Sequence, residues 1–112
     1  MPKQNYFEKG HLTDVAYLVL LTLVEPKHGY SIMSEITAIT DGAEVVGPAS
    51  LYTTLRKLTE AGFIELIGDD KSKKTYLITK QGHLTLMAEI EKRKRLASYG
   101  QAALERYKKE EL

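Results

Sequence analysis

The 112-residue sequence has no cysteine, no tryptophan and little net charge. Without cysteine, neither a disulfide nor a cysteine-ligated metal site can form. A formal net charge of +1 at pH 7 does not mark a nucleic-acid binder, so any basic surface must be local. A hydrophobic fraction of 43% and a charged fraction of 28% are typical of a globular chain, and the length suits one domain with a modest core.

Long apolar runs are also missing from the sequence. The longest, over residues 15–24, is too short to span a membrane and is interrupted by Thr22. It lacks the cleavage site of a signal peptide, and the leader over residues 1–10 is polar. We therefore expect a soluble cytoplasmic protein with no membrane partner.

The residue patterns of catalysis and metal binding are absent as well. His11, His28 and His83 have no ligand spacing with a carboxylate, which predicts that there is no metal site. Asp69 and Asp70 would lie on an exposed tip with no base nearby. The sequence contains neither a phosphate-binding glycine loop nor a nucleophile elbow. We expect no cofactor, no catalytic residue and no enzyme activity.

The first part of the chain predicts two helices. Thr13 can cap a first helix, and the apolar residues over 12–24 cover nearly its whole circumference. Such a helix is buried on more than one side, and in a small domain a second subunit is the simplest cover. Pro26 and Gly29 break this helix, and the apolar spacing predicts a second helix over residues 30–40.

The segment over residues 46–66 has a short helix with a clear start and stop. Gly47 suits an N-cap, Pro48 the first helical position and Gly62 a left-handed C-cap. One helix face consists of Leu51, Leu55 and Leu58, and the opposite face of Ala49, Thr53, Arg56, Lys57 and Glu60. A polar face of this kind is typical of a solvated helix surface, and also of a helix that enters a DNA groove.

A hairpin is predicted after this helix. Residues 63–67 and 75–79 have the β-branched and aromatic character of strands, and the charged segment 68–74 between them predicts a lysine-bearing tip. Residues 44–46 could form a further short strand. Helices followed by a hairpin give a mainly α (α+β) chain with the element order of a winged helix-turn-helix. From the N-cap Thr79, a long helix is predicted to the C-terminus.

The C-terminal helix carries apolar residues at spacings of three and four, which suit a partner helix but do not form a sustained heptad. We expect it to pack on the first helix and on a second copy of the chain. The residues predicted to form the dimer interface are Leu18, Leu21, Leu86, Met87, Ile90, Ala97 and Leu104. The basic run over residues 92–95 is typical of a solvated face. The predicted domains are an N-terminal arm (1–11), a winged helix-turn-helix domain (12–79) and a dimerisation helix (80–112).

Four short motifs in the right order resemble the PadR family of transcriptional regulators, specifically its short subgroup with a single C-terminal helix. They are His28-Gly29-Tyr30, Pro48-Ala49-Ser50-Leu51-Tyr52, the stretch 55–65, and the stretch 74–79 with Gly82. The resemblance extends over residues 12–86. It implies a homodimer that binds a pseudo-palindromic DNA operator, usually as a repressor, and that is often released by a small aromatic effector.

The chain departs from the family pattern in two places. The family's wing usually carries Gly-Gly-Arg-Arg before its last lysine, whereas residues 70–73 here read Asp-Lys-Ser-Lys. Lysines can still contact phosphates, but planar bidentate arginine contacts are lost. Relatives that sandwich drugs use a tryptophan, and in this chain Tyr99 or Tyr107 would have to provide the stacking ring.

Our hypothesis is therefore a sequence-specific DNA-binding regulator of transcription. The residues predicted to contact DNA are Ser50, Tyr52, Thr53, Arg56, Lys57, Lys71, Lys73, Lys74 and Tyr30. Those on the helix opening at Pro48 would read bases or hold phosphates, and the wing lysines would contact the backbone. Tyr30 and Tyr52 could equally pack on their own domain. One alternative is a winged helix that docks another protein without specific DNA binding; the other is a small enzyme, against which the missing catalytic patterns argue.

Overall fold

The computed structural model describes residues 12–70 and 73–111 of the chain. Its elements are α1 (Asp14–Thr22), β1 (Lys27–His28), α2 (Gly29–Ile39), α3 (Pro48–Glu60), β2 (Ile64–Asp70), β3 (Lys73–Ile78) and α4 (Lys80–Glu111). Within the described residues, the strands form one antiparallel sheet in the order β1-β3-β2. This is the predicted winged helix-turn-helix with a long C-terminal helix. The predicted arm over residues 1–11 lies outside the described residues.

The starts of α1 and α3 follow local sequence signals. The Thr13 hydroxyl accepts a hydrogen bond from the Ala16 amide at 3.0 Å, and so satisfies one of the free donors at the start of α1. Gly47 is the N-cap of α3, and Pro48 occupies its first position, where a missing amide hydrogen has no cost. Both predicted caps are confirmed.

The end of α3 reverses the chain at Gly62. This residue has a φ of +82°, a conformation that glycine adopts without steric penalty. The Gly62 amide donates to the Thr59 carbonyl and the Phe63 amide to the Leu58 carbonyl, each at 3.0 Å. These two bonds form a Schellman motif, which ends the helix and leads directly into β2.

The core of the domain lies where α1, α2 and α3 meet and extends to the sheet and the start of α4. Its buried residues are Leu12, Ala16, Val19, Leu20, Leu23, Ile32, Ile36, Val46, Leu51, Leu55, Leu58, Phe63, Ile64 and Leu86. Leu18 and Leu21, which were predicted to contact a second copy, are half-buried and pack against this core. Much of the predicted all-round burial of α1 is therefore met within its own chain.

One predicted strand was wrong, and another strand was missed. Residues 44–46 form no strand; Val46 instead inserts its side chain into the core. The additional strand is β1, in the break between α1 and α2, and it pairs with Thr75 and Tyr76 of β3. A strand of two residues shows no alternating pattern, so it could not be predicted from the residues alone.

The strands of the hairpin are longer than predicted. β2 extends to Asp70 and β3 begins at Lys73, so most of the predicted tip over residues 68–74 is paired backbone. The register shifts between Leu66 and Gly68, which marks a β-bulge in β2. The wing is therefore an extended ribbon.

The first turn of α4 is attached to the head, as we call residues 12–79. The Thr79 hydroxyl accepts a hydrogen bond from the Gly82 amide at 3.0 Å and donates to the Gly62 carbonyl at 2.7 Å. The Thr79 amide donates to the Phe63 carbonyl at 2.9 Å. The predicted N-cap is confirmed, and it also joins the end of α3 to the start of α4.

Candidate nucleic-acid interface

α3 turns its polar side outward because its leucines hold the opposite side in the core. Leu51, Leu55 and Leu58 are at most 1% exposed. On the opposite side, Thr53 and Arg56 are exposed and Lys57 is half-buried, and at the edges of that side Ser50 and Tyr52 are exposed. With 13 residues the helix is about 20 Å long, and the major groove of B-DNA is wide enough to admit it. The structure thus brings five of the predicted contact residues together on one helix.

Arg56 lies on that outward side of α3. Its side chain is exposed, and within the described ranges of the chain no ion pair or hydrogen bond engages its guanidinium group. A guanidinium group carries five N–H donors in a planar fork, which matches guanine O6 and N7 or two phosphate oxygens. Arg56 therefore has its full donor set available to a ligand.

Tyr52 connects α3 with the start of α2. The end of its ring lies against Gly29, in space that a β-carbon on Gly29 would overlap. The residue nevertheless remains 52% exposed. Of the two interpretations of Tyr52, packing on its own domain is observed, and the phosphate contact stays a prediction. Its hydroxyl lies at the N-terminal end of α2, where the helix dipole favours a negative charge.

Tyr30 is more exposed than Tyr52, the other tyrosine among the predicted contact residues. It follows Gly29 in the first turn of α2 and is 72% exposed. Its neighbour His28 is the N-cap, and its ring Nε2 is 3.3 Å from the Ser31 hydroxyl, which agrees with a packing role for this histidine. The first turn of α2 thus carries one exposed tyrosine directly after Gly29, the residue that the Tyr52 ring contacts.

Two lysines of the wing are paired with acidic residues in the strand register of the ribbon. Lys73 and Lys74 are exposed, whereas Lys71 lies outside the described residues. In the strand register Lys73 is opposite Asp70, and Lys74 is opposite Asp69. Two lysines and two aspartates sum to no formal charge, which weakens a purely electrostatic attraction to phosphates. The wing is therefore less basic than its lysines alone suggest.

The α4 residues predicted at the dimer interface fall into two groups. Leu86 is 6% exposed and belongs to the core of its own chain, which leaves little of its surface for a second copy, and its place at the interface stays a prediction. Met87, Ile90 and Leu104 are 53%, 36% and 65% exposed, and Ala97 is exposed too. These four lie on the helix surface.

Arg93 joins α4 to the start of α1. Its Nε donates to Glu89 Oε2 at 2.7 Å, and its Nη1 donates to Asp14 Oδ1 at 2.9 Å. Its Nη2 donates to the Leu12 carbonyl at 3.3 Å. The guanidinium group also lies over the ring of Tyr17, 4.3 Å from the centroid. We call Arg93, Glu89, Asp14, Leu12 and Tyr17 the Arg93 cluster.

The Arg93 cluster stabilises the charged form of Arg93. Burial lowers the pKa of Arg93, but hydrogen bonds to Asp14 and Glu89 outweigh burial and raise it above the usual arginine value. Because the pKa of Arg93 is higher in the folded chain than in the unfolded chain, its charged form stabilises the fold. This contribution is fully present below the usual arginine pKa and is lost only as the pH rises through the raised value. Glu89 is 3% exposed, and its Oε1 has no hydrogen-bond partner among the described residues. This buried carboxylate therefore depends on Arg93 for compensation.

Sequence reasoning missed this cluster, although one signal was present. Glu89 and Arg93 are four residues apart on a helix, a spacing at which opposite charges pair. The basic run over residues 92–95 was interpreted as solvated, and the partner Asp14 lies 79 residues away in the sequence. Helical spacing alone cannot show a contact at that separation.

Membrane-spanning helices and metal clusters are absent from residues 12–70 and 73–111. No helix there combines the length and the apolar character that a membrane crossing needs. No group of three or more histidine, aspartate or glutamate side chains is arranged there to hold a metal ion.

The comparison with known proteins identifies the family of this chain. The sequence profile of the transcriptional regulator PadR-like family matches residues 18–88. The chain belongs to this family. The PadR-like chain is 30% identical over 82 residues to the transcriptional regulator YqjI of Escherichia coli K12, an alignment that covers 71% of this chain and 38% of that protein. It thus spans less than half the length of the curated relative that it matches.

Solved structures share the fold of this PadR-like chain. A transcriptional regulator from Clostridium thermocellum is similar with a TM-score of 0.71 and 24% identity, over 79% of this chain and 90% of that one. A PadR family transcriptional regulator from Eggerthella lenta is similar with a TM-score of 0.61 and 26% identity, over 80% and 76% of the two chains. RosR of H. salinarum gives a TM-score of 0.63 at 23% identity, over 83% and 94%. The winged fold of the chain is therefore that of known transcriptional regulators.

Proposed function

We propose that this PadR-like chain is a homodimeric repressor that acts in the cytoplasm and binds a pseudo-palindromic DNA operator. The observation that carries the proposal is the outward side of α3, which is polar, exposed and backed by three fully buried leucines. A helix fixed in this way can enter a groove without disturbing the core. The exposed guanidinium group of Arg56 gives that side a donor for base edges.

Five polar residues of α3 have a role in the proposal. Thr53, Arg56 and Lys57 lie in the major groove, where arginine recognises guanine and the threonine methyl group can contact thymine. Ser50 and Tyr52 hold phosphates near the N-terminal end of α3, where backbone amides and the helix dipole favour an anion. Both kinds of contact are needed, because phosphate contacts fix the position and base contacts give the specificity.

The wing and α2 supply the remaining DNA contacts in the proposal. Lys73 and Lys74, together with Lys71, contact the phosphate backbone beside the recognition helix. Because Asp69 and Asp70 oppose these lysines in the strand register, their contribution is smaller than three free lysines would give. Tyr30 contacts a phosphate from the first turn of α2.

The second copy in the proposal is held by α4. Up to Arg93 one side of this helix packs on the head, and at 100° per residue the same side continues beyond Arg93. There it consists of Leu96, Gly100, Leu104 and Tyr107, all of which are exposed. Residues 80–112 would thus form the dimerisation helix and residues 12–79 the DNA-binding domain. A two-fold axis through α4 would present two copies of α3 about 34 Å apart, one turn of DNA.

Selection of bound duplexes from a random library tests the proposal directly. We expect an inverted repeat whose half-sites lie about one helical turn apart, bound by two chains per duplex in sedimentation measurements. Enrichment of a single half-site would contradict the homodimer. Failure to bind random duplex DNA even at low salt would reject DNA binding, and would favour a winged helix that docks another protein.

Repression and release are tested separately. In a reporter strain that carries the selected operator, loss of the chain should raise expression, and a fall in expression would identify an activator instead. Release by a small aromatic molecule is supported by Tyr99 and Tyr107, whose rings are 63% and 62% exposed on α4. A planar aromatic compound that releases DNA from the wild type but not from Tyr99→Leu or Tyr107→Leu would establish this part. Release that is unchanged in both variants would reject these rings as its site.

A further inference from the structure

Hydrogen bonds fix α4 to the head at two places, with Leu86 packed in the core between them. The first is the joint at Thr79 and Gly82, with its hydrogen bonds to the turn after α3. The second is Arg93, eleven residues (about 16 Å) after Gly82 along the helix. From residue 94 to residue 108 every residue is exposed, so Arg93 is where α4 leaves the head.

These two attachments differ in what they can determine. A joint at one end of a helix leaves the helix free to swing, whereas a second attachment fixes its direction. Apolar packing, such as that of Leu86, is not directional. The Arg93 fork is directional, because each of its donors must meet an oxygen at a set angle and distance.

The arrangement of the cluster agrees with an orienting role. Glu89, on the same helix, binds Nε and so holds the arginine side chain in one conformation. The partners across the contact are Asp14, the Leu12 carbonyl and the Tyr17 ring, all at the start of α1. Glu89 is buried and Arg93 half-buried, and apolar side chains in place of such a pair are often as stable, so the inference rests on the geometry that the pair imposes.

From these contacts we propose that Arg93 is a positioning residue that sets the distance between the two heads and therefore the spacing of the operator half-sites. The inference rests on the proposed function, because it needs a dimer held by α4 and bound to DNA. If the direction of α4 changes by about 10°, a point on the head about 20 Å from the pivot moves by about 3.5 Å, which is close to one base-pair step. A small change in the direction of α4 is thus enough to change the preferred spacing.

The variant that tests this role removes the charged contacts of the Arg93 cluster and keeps apolar side chains at positions 89 and 93. In Glu89→Leu/Arg93→Met, apolar side chains of similar length replace the buried pair, so folding should be retained. The matched control is Lys94→Met, which removes the neighbouring exposed cation. Its 3.4 Å pair with Glu91 lies on the surface, where such pairs contribute little to stability.

Binding is measured on duplexes that carry the selected inverted repeat with its spacer changed by one or two base pairs. Wild type and Lys94→Met should lose about tenfold in affinity for each base pair of change, and the double variant less than about threefold, with unchanged affinity for an isolated half-site. A folded double variant with the wild-type spacing profile would overturn the inference. If the double variant does not fold, Asp14→Ala removes one acceptor of the fork at an exposed position, and an unchanged profile there would overturn the inference equally.

The two proposals fail in different ways. If the wild type shows no preference for an inverted repeat, the proposed function fails, and the role of Arg93 fails with it. If the wild type discriminates between spacers and the variants of the Arg93 cluster discriminate equally well, the proposed function stands and only the role of Arg93 is rejected.

Discussion

The hydroxyl end of the Tyr52 ring lies against Gly29, in the space that a β-carbon on that residue would fill. The two residues belong to two of the motifs that resemble the PadR family, one at the start of α2 and the other in α3. The contact gives both a physical reason. Position 29 must lack a side chain, and position 52 needs a ring long enough to reach from α3 to α2.

Substitution of Gly29 by alanine should therefore disturb α3. The new β-carbon would overlap the Tyr52 hydroxyl oxygen and lie 3.1 Å from Cζ, so the ring must move away from α2. We expect a loss of about 1–3 kcal/mol in the free energy of unfolding, measured by urea denaturation, and weaker operator binding. Adding Tyr52→Phe to this variant removes the overlapping oxygen and should restore part of the loss. An additive double variant would show that the two residues do not interact.

Substitution of Gly82 by alanine should be more severe, because the obstacle is backbone. A β-carbon there would overlap the Phe63 carbonyl oxygen and lie 2.9 Å from Cγ1 of Ile78. We expect a loss at or above the upper end of about 1–3 kcal/mol, visible as a lower Tm. Gly68→Ala is the matched control, since its β-carbon would only reach an ordinary contact of 3.5 Å with Thr75. Equal Tm values for the two variants would contradict the close approach at Gly82.

The contacts of α3 and the wing can be separated by their dependence on sequence and salt. Arg56→Ala should cost about 1–3 kcal/mol of operator affinity if Arg56 recognises a base, with a smaller loss on random DNA. Lys74→Ala should weaken binding to all sequences alike and lower the salt slope by at most about one unit. Titrations at several salt concentrations measure both quantities. Equal losses on operator and random DNA for Arg56→Ala would exclude base recognition.

The exposed end of α4 can be tested without damage to the head. Leu104 is 65% exposed, so Leu104→Glu should leave the helical circular dichroism signal almost unchanged while it dissociates the dimer in sedimentation experiments. Leu86→Ala should instead lower the stability of the fold and leave the dimer intact. Leu86 is 6% exposed in the core, and its truncation should cost about 2–5 kcal/mol of stability. A dimer that survives Leu104→Glu would show that the interface lies elsewhere.

Features with a local cause could be predicted from the sequence. Thr13, Gly47, Pro48, Gly62 and Thr79 all have the roles that their positions beside helical patterns suggest. The outward side of α3 could be predicted for the same reason, because helical spacing separates its leucines from its polar residues. Caps and faces depend on neighbours within a few residues, and the sequence shows those neighbours directly.

Features that depend on distant partners could not be predicted. The strand β1 exists because β3 lies beside it, and a pair of residues has no period of its own. Leu86 follows the same spacing as its exposed neighbours, and only the position of the head against α4 decides that it is buried. Likewise, the position of Arg93 in its basic run does not show that Asp14 and Leu12 lie within its reach.

The two-residue strand β1 has a mechanical consequence. It lies between the end of α1 and the first turn of α2, and its backbone pairs with Thr75 and Tyr76 of the wing. Main-chain hydrogen bonds thus connect the ribbon to the start of α2, and the contact between Gly29 and the Tyr52 ring connects α2 to α3. We expect a displacement of the ribbon to displace α3 through these contacts. The ribbon and α3 should accordingly move together when either of them contacts a DNA duplex that is bent or has a narrowed groove.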